Sequence, residues 1–306
     1  MKYMRDFMVR AGNNMKIAVL SGKGGTGKTT VAGAFIRLAQ ARACADCDVD
    51  APNLHLVNSH YSLEESTPYY GLPLAHIDPA RCIACGECQQ SCRFDAIVSG
   101  TPYQVDPYSC EGCGVCILVC PVDAITMKPH EAGTMTLFLD IDKVFSTASL
   151  RMGSGTSGLL VSQVKKRMNE AAKSDVSFAI VDGSPGIGCP VIATLSGADI
   201  TLIVAEPSLS GISDLERIVQ TARGFGVKMA VCVNKADINP GKTEEIKRYC
   251  EKEKLVFAGI IPYDPMAIQA INQGLSIVDI ACPSGKAVKE IYRKILPMLE
   301  MEESVV

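Results

Sequence analysis

The hydrophobic pattern of the chain follows one rhythm that is interrupted once. "MKIAVLS" (15–21) is a short apolar run, the pattern of a strand buried on both faces. "KTTVAGAFIRLAQ" follows with Val31, Phe35 and Leu38 on one helical face, and "ARACADCDVD" reads as a second strand. From about 62 to 133 only short apolar runs occur among Pro, Gly and Cys. The rhythm then resumes. "TMTLFLD", "SFAIVDG", "ADITLIVAEP", "VKMAVCVNKAD" and "LVFAGIIP" read as strands. "GLLVSQVKKRMNEAAK", "SDLERIVQTARGFG", "KTEEIKRYCEKEK" and "SGKAVKEIYRKILPMLE" read as helices. Doubly apolar strands alternating with helices predict an α/β fold, a doubly wound, mainly parallel sheet covered on both sides. The expected division is one domain from 15–61 and 134–306, with an inserted α+β module at 62–133. Residues 1–14 are expected to be a disordered extension. The stripe Val288, Ile291, Ile295 and Leu299 is expected to dock on the core, and "KKR" at 165–167 to be a solvated helix face.

Composition narrows the function. Of 306 residues, 47% are apolar, enough for a large core, and the net charge of −3 gives no footprint for nucleic acid. No apolar run is long enough to span a bilayer, and the acidic end "EMEESVV" disfavours an anionic membrane surface. The N-terminus lacks the apolar core of a secretion signal, so a cytoplasmic protein is expected. In a reducing compartment the 14 cysteines point to metal rather than disulfides.

Eight of those cysteines sit in an internal repeat. "IDPARCIACGECQQSCRFDAI" (77–97) and "VDPYSCEGCGVCILVCPVDAI" (105–125) match at an offset of 28 residues. Such duplication suggests a pseudo-twofold module. The spacing Cys82-x2-Cys85-x2-Cys88-x3-Cys92 and Cys110-x2-Cys113-x2-Cys116-x3-Cys120-Pro121 is that of bacterial two-cluster ferredoxins. In that pattern the fourth cysteine of each run serves the other cluster. Cys82, Cys85, Cys88 and Cys120 are thus expected to hold one [4Fe–4S] cluster, and Cys110, Cys113, Cys116 and Cys92 the second. Arg93 replaces the proline of the pattern without removing a ligand. Structural zinc, the competing reading, uses paired C-x2-C knuckles rather than two runs of four.

"SGKGGTGKTT" (21–30) supplies a second chemistry. Gly22-x4-Gly27-Lys28-Thr29 between a strand and a helix is a phosphate-binding loop. Gly22, Gly24, Gly25, Thr26 and Gly27 let the backbone wrap the phosphates, and the helix start at Thr29 and Thr30 faces the anion. Lys28 is expected to neutralise the β- and γ-phosphates and Thr29 to hold Mg²⁺.

Lys23 makes the loop resemble that of the MinD/ParA and nitrogenase-iron-protein ATPases, the deviant Walker A class of P-loop NTPases. The resemblance implies that Lys23 reaches a partner's phosphates in an ATP-dependent homodimer. "DCDVDAPN" resembles the family's first switch, which makes Asp48 and Asp50 candidates for orienting the attacking water and the Mg²⁺ shell. "VDGSPGIG" resembles the second switch, with Asp182 the Walker B-type carboxylate and the Gly186 N–H a γ-phosphate sensor. In "VCVNKAD", Asn234 is expected to bond the purine. Asp237 also fits the guanine signature, which leaves ATP and GTP both open, with ATP favoured by the loop. "IPYDPMAIQAINQG" resembles a second purine-side loop.

Together these features resemble MinD-superfamily ATPases with an inserted ferredoxin domain. Two functions remain. One is an ATPase gating electron transfer from its clusters to a metalloprotein or metallocofactor-assembly partner, by movement of the first switch. The other is an ATP-dependent cluster assembly or carrier protein. Cys44, Cys47 and Cys232 read as buried strand residues, Cys250 and Cys282 as incidental, and Cys189 in switch two as a spare thiol that could hold metal between subunits.

Overall fold

The computed structural model describes residues 15–58 and 61–300. The extension at 1–14 and the acidic end beyond 300 lie outside the described residues. The strands are β1 (Met15–Ser21), β2 (Ala43–Asp46), β3 (Leu63–Tyr70), β4 (Leu74–Ile77), β5 (Ile97–Val98), β6 (Gln104–Val105), β7 (Ile125–Lys128), β8 (Glu131–Leu139), β9 (Val144–Leu150), β10 (Phe178–Pro185), β11 (Ile200–Ala205), β12 (Lys228–Asn234) and β13 (Val256–Ile261). The principal helices are α1 (Lys28–Ala39), α2 (Glu87–Gln90), α3 (Val115–Leu118), α4 (Ser157–Ala171), α5 (Cys189–Leu195), α6 (Leu209–Arg223), α7 (Pro240–Lys252), α8 (Pro265–Asn272) and α9 (Pro283–Ile295).

Nine strands form one sheet in the order β13-β12-β11-β1-β10-β2-β9-β8-β3. The first seven of that order run parallel, and β8 and β3 add an antiparallel edge. Parallel strands must be covered on both faces. Accordingly Val31, Phe35, Val288, Ile291 and Ile295 pack with strand residues on one face. Leu160, Val164 and Met168, or Leu215 and Ile218, pack with strand residues in two further clusters. The stripe on α9 is docked as its spacing implied.

Two strands depart from the sequence expectation. "VFSTASL" becomes β9, the parallel neighbour of β2, although its Ser and Thr obscure the pattern; Phe145, Ser146 and Thr147 are all buried. "LEESTPYY" becomes β3, an edge strand with only Tyr69 buried, so burial leaves almost no period in it. Because β3 belongs to the large sheet, the part of 62–133 that leaves that sheet runs from 71 to 130.

That excursion contains two small sheets related by the repeat. Ile77 pairs with Ile125 in β4–β7, and Val105 with Ile97 in β6–β5. The Asp78 N–H donates to Ala124 O and the Asp106 N–H to Ala96 O, both at 2.8 Å. Left-handed backbone recurs at the same offset, at Ala84 and Gly112, Gly86 and Gly114, and Asp95 and Asp123. Each half therefore joins the start of one repeat to the end of the other. Ala75, Ile77, Cys88, Ile97 and Ile125 form its own small core.

Candidate nucleotide site and cysteine module

Every element of the nucleotide site lies at the carboxyl end of a parallel strand, where open α/β sheets bind ligands. The loop from β1 wraps into α1, with Gly25 and Gly27 left-handed. A Cβ on Gly27 would lie 2.3 Å from Asn234 Nδ2, so glycine is required there. Asn234 Nδ2 donates to Thr26 O at 2.7 Å, and its Oδ1 accepts from the Lys235 N–H. Asn234 thus braces the phosphate loop as well as lining the adjacent cavity. That cavity measures about 260 Å³ and is walled by Gly27, Thr30, Asn234, Pro262, Tyr263 and Ile268. Asp237 works from behind it: Oδ1 accepts from the Tyr263 N–H at 2.7 Å.

Lys28 is buried, and its Nζ lies 2.6 Å from Asp182 Oδ1 and 3.7 Å from Asp48 Oδ2. Burial acts to lower the Lys28 pKa, but Asp182 first, then Asp48 and Asp46, together raise it, so the ammonium is retained. Asp182 Oδ2 is buried with no hydrogen-bond partner. Together with Thr29 Oγ1, 3.4 Å from Lys28 Nζ, it offers oxygen ligands to Mg²⁺ or its water shell. The residues present therefore fit a magnesium nucleotide.

The second carboxylate of the centre is Asp46, which sequence reasoning passed over. It ends β2 directly beside Asp182 in the parallel register and is fully buried. Its oxygens accept from the N–H groups of Asp48, Asn53 and Leu54 at 2.9–3.0 Å, fixing the loop after β2. Burial, then Asp182, pushes its carboxyl up to about 7. Burial also raises Asp48, against the pull of Lys28. Asp48 thus faces the centre, and Asp50 lies exposed on the same loop, close enough to add to the rise in Asp48.

In the second switch, Gly186 has a φ of 98° and its N–H donates to Ser21 O at 2.9 Å. A γ-phosphate would have to compete with that carbonyl for the sensor. Cys189 is exposed at the start of α5 and packs against α4, where a Cβ on Gly158 would lie 2.8 Å from Cys189 Cβ. Lys23 Nζ pairs with Glu206 of its own chain at 2.5 Å.

The 165–167 run is not wholly solvated, which corrects the sequence reading. Lys165 is buried and donates to the carbonyls of Ala193, Thr194 and Ser196 at 2.6–2.8 Å, closing the C-terminal end of α5. Burial pulls its ammonium down to about 8. Lys166 is exposed beside Glu170.

In the cysteine module, one cleft is lined by Cys82, Cys85, Cys88 and Cys120. Cys120 arrives from the second repeat because β7, just after it, pairs with β4, just before Cys82. The Cys88 thiol is pushed up by burial first, with Cys85 and Cys82 adding to it. Cys116 is raised by burial, then by Cys110 and Cys113. Cys92 packs on the module core. Cys44, Cys47, Cys232, Cys250 and Cys282 are buried. Among the described residues, no three His, Cys, Asp or Glu side chains converge as a single-ion site requires.

The fold and the phosphate loop define a P-loop nucleotide-binding domain of the MinD/ParA ATPase type. The profile described as the CobQ/CobB/MinD/ParA nucleotide binding domain matches residues 17–277, and the chain belongs to that family. The uncharacterized protein MJ0578 of Methanocaldococcus jannaschii is 32% identical over 285 residues, covering 92% of this chain and 96% of its own. The septum site-determining protein MinD of Helicobacter pylori is 27% identical over 137 residues, 41% of this chain and 51% of its own. Among solved structures, the cell division ATPase MinD of Pyrococcus furiosus superimposes with a TM-score of 0.55 at 16% identity, covering 94% of this chain and 100% of that one. MinD of Pyrococcus horikoshii, complexed with Mg-ADP, gives 0.55 at 15% identity, covering 95% and 100%. No helix among the described residues is long and apolar enough to cross a membrane.

Proposed function

We propose that this chain is an ATP-hydrolysing homodimer that carries two [4Fe–4S] clusters in its 71–130 module. ATP turnover would gate electron transfer to a metalloprotein or metallocofactor-assembly partner. The observation that carries the reading is the cleft that gathers Cys82, Cys85 and Cys88 with Cys120 from the opposite repeat. A four-iron cluster would take one thiolate per iron, so Cys82, Cys85, Cys88 and Cys120 would surround it rather than converge on a single ion. When bound, each cluster supplies a one-electron redox centre. The residues around it exclude water with Ile77, Ile125 and Tyr103.

ATP is favoured over GTP by the likeness of the phosphate loop to that of the MinD/ParA ATPases, although one oxygen of Asp237 remains free among the described residues, beside its bond to the Tyr263 N–H. Lys28 and Thr29 would hold the phosphates and Mg²⁺, with Asp182 ordering the shell and Asp48 the attacking water. The route from nucleotide to module runs through 151–158. The Leu150 N–H bonds Val49 O in switch one, and Gly158 packs on Cys189 in switch two. Gly153 lies against Tyr108 and Gly155 near Glu111, the residues flanking Ser109 and Cys110. Switches ordered by a γ-phosphate would thereby displace the cysteine turn.

The test is anaerobic purification with iron and sulfide analysis. About eight irons per chain are expected. Cys120→Ser is expected to alter one cluster signal in electron paramagnetic resonance and Cys92→Ser the other. A colourless zinc protein would end the cluster reading. Identical reduction potentials and partner transfer rates with ADP and a non-hydrolysable ATP analogue would end the gating. Iron passing to an apo-acceptor would favour the carrier function.

A further inference from the structure

Lys23 sits against the turn that opens α6. Its Nζ is 2.5 Å from Glu206 Oε2, 3.4 Å from Ser210 Oγ and 3.5 Å from Ser208 Oγ. Ser208 caps α6 by accepting from the Gly211 N–H at 3.0 Å, so the lysine sits at the positive end of a 15-residue helix. That is a poor place for a cation, since the helix dipole there favours anions. The Glu206 carboxylate is what compensates.

The anchorage is rigid at both ends. A Cβ on Gly22 would lie 2.1 Å from Asp214 Cβ, so the loop entry is seated on α6. A Cβ on Gly211 would lie 2.2 Å from Glu206 O, so the turn that aims Glu206 is equally close-packed. Glu206 also has a second cation in range. Its Oε1 is 3.8 Å from Lys235 Nζ, which donates to Gly25 O at 3.1 Å.

We propose that Glu206 is a positioning residue that holds Lys23 in its own protomer until a second protomer presents nucleotide phosphates. This rests on the dimer reading above. Because Lys235 already lies 3.8 Å from Glu206, the carboxylate keeps that longer ion pair when Lys23 leaves, and only the shorter pair is lost. The triphosphate offers Lys23 a stronger anion than Glu206 does, so the latch opens to loaded protomers and stays shut to empty ones.

The pair is partly exposed, with side-chain exposures of 37% and 24%. An ion pair of this kind is worth roughly two- to fivefold in an equilibrium constant. A symmetric dimer must open two of them, so the dimerisation constant carries the square, roughly four- to twenty-five-fold.

The experiment uses the full chain, purified without oxygen, in sedimentation velocity with Mg²⁺ and a non-hydrolysable ATP analogue. Wild type, Glu206→Gln, Glu206→Asp and Lys23→Ala are compared from about 0.05 to 0.5 M salt. Glu206→Gln keeps side-chain volume and is expected to dimerise four- to twenty-five-fold more tightly at low salt. The gap to wild type is expected to shrink at high salt, where the wild-type latch is screened. Glu206→Asp, which keeps the charge, is expected to fall between. A purely structural Glu206 would give neither the salt dependence nor the partial rescue. If Lys23→Ala abolishes the dimer while Glu206→Gln matches or weakens it, the latch is wrong and the dimer reading stands. If every variant binds nucleotide and none dimerises, both are wrong.

Discussion

Lys165→Met offers a direct measure of how switch two is held. In the folded chain the ammonium donates to three carbonyls at the end of α5, where helix carbonyls have no intrahelical partner. Bonds to a charged donor are worth about 1.5–3 kcal/mol each, so three lost bonds cost roughly 5–9 kcal/mol. Removing a buried charge returns part of that. Burial lowers the lysine from 10.5 to about 8, which corresponds to roughly 3 kcal/mol of relief. The net expectation is a loss of about 2–6 kcal/mol. Equilibrium urea unfolding of the nucleotide-free protein reads this as a fall in midpoint at unchanged slope. Lys166→Met is the control: its side chain is 73% exposed, and the change is expected to stay within about 0.5 kcal/mol. The sign of the pH dependence follows as well. Between about pH 8 and 10.5 the unfolded chain holds a proton that the native chain has released, so wild-type stability relative to Lys165→Met rises across that window. Equal midpoints for Lys165→Met and Lys166→Met would refute the capping argument.

Two further outcomes are expected. Gly27→Ala places a Cβ 2.3 Å from Asn234 Nδ2 on a backbone with φ near 89°, and is expected to weaken nucleotide binding at least tenfold, read by calorimetry. Asp46 binds its proton more tightly folded, at about 7, than unfolded, so its contribution to stability falls as pH rises from about 4 to 7. Thermal melts of wild type and Asp46→Asn are expected to show that slope in the first and not in the second; parallel pH profiles would count against it.

What the sequence disclosed, and what it hid, follows from how each feature is encoded. The phosphate loop is one contiguous run, so its glycines, Lys28 and Thr29 could be read directly. The cysteine repeat was equally open, since a constant offset of 28 residues lies in the sequence itself and recurs in the paired small sheets. Asp46 was hidden because its role depends on lying opposite Asp182 across two strands distant in sequence. Lys165 was misread because a charged triplet looks like a wet face, and only the packing of α4 on α5 separates it from Lys166. Glu206 was overlooked because nothing local ties it to Lys23, 183 positions earlier. The strand β3 was lost among polar residues because an edge position needs no apolar alternation.

The place where the cysteine module departs also bears on how such a chain could arise. It leaves from β3 and returns into β8, at the far rim of the sheet, with β9, β2 and β10 standing between that rim and β1. Glu64, Glu65 and Pro68 on β3 blunt that rim against further strand addition. A duplication or exchange of the excursion would leave the inner strands in register. An excursion rooted at that rim can therefore change in length without shifting the strands that carry the phosphate loop.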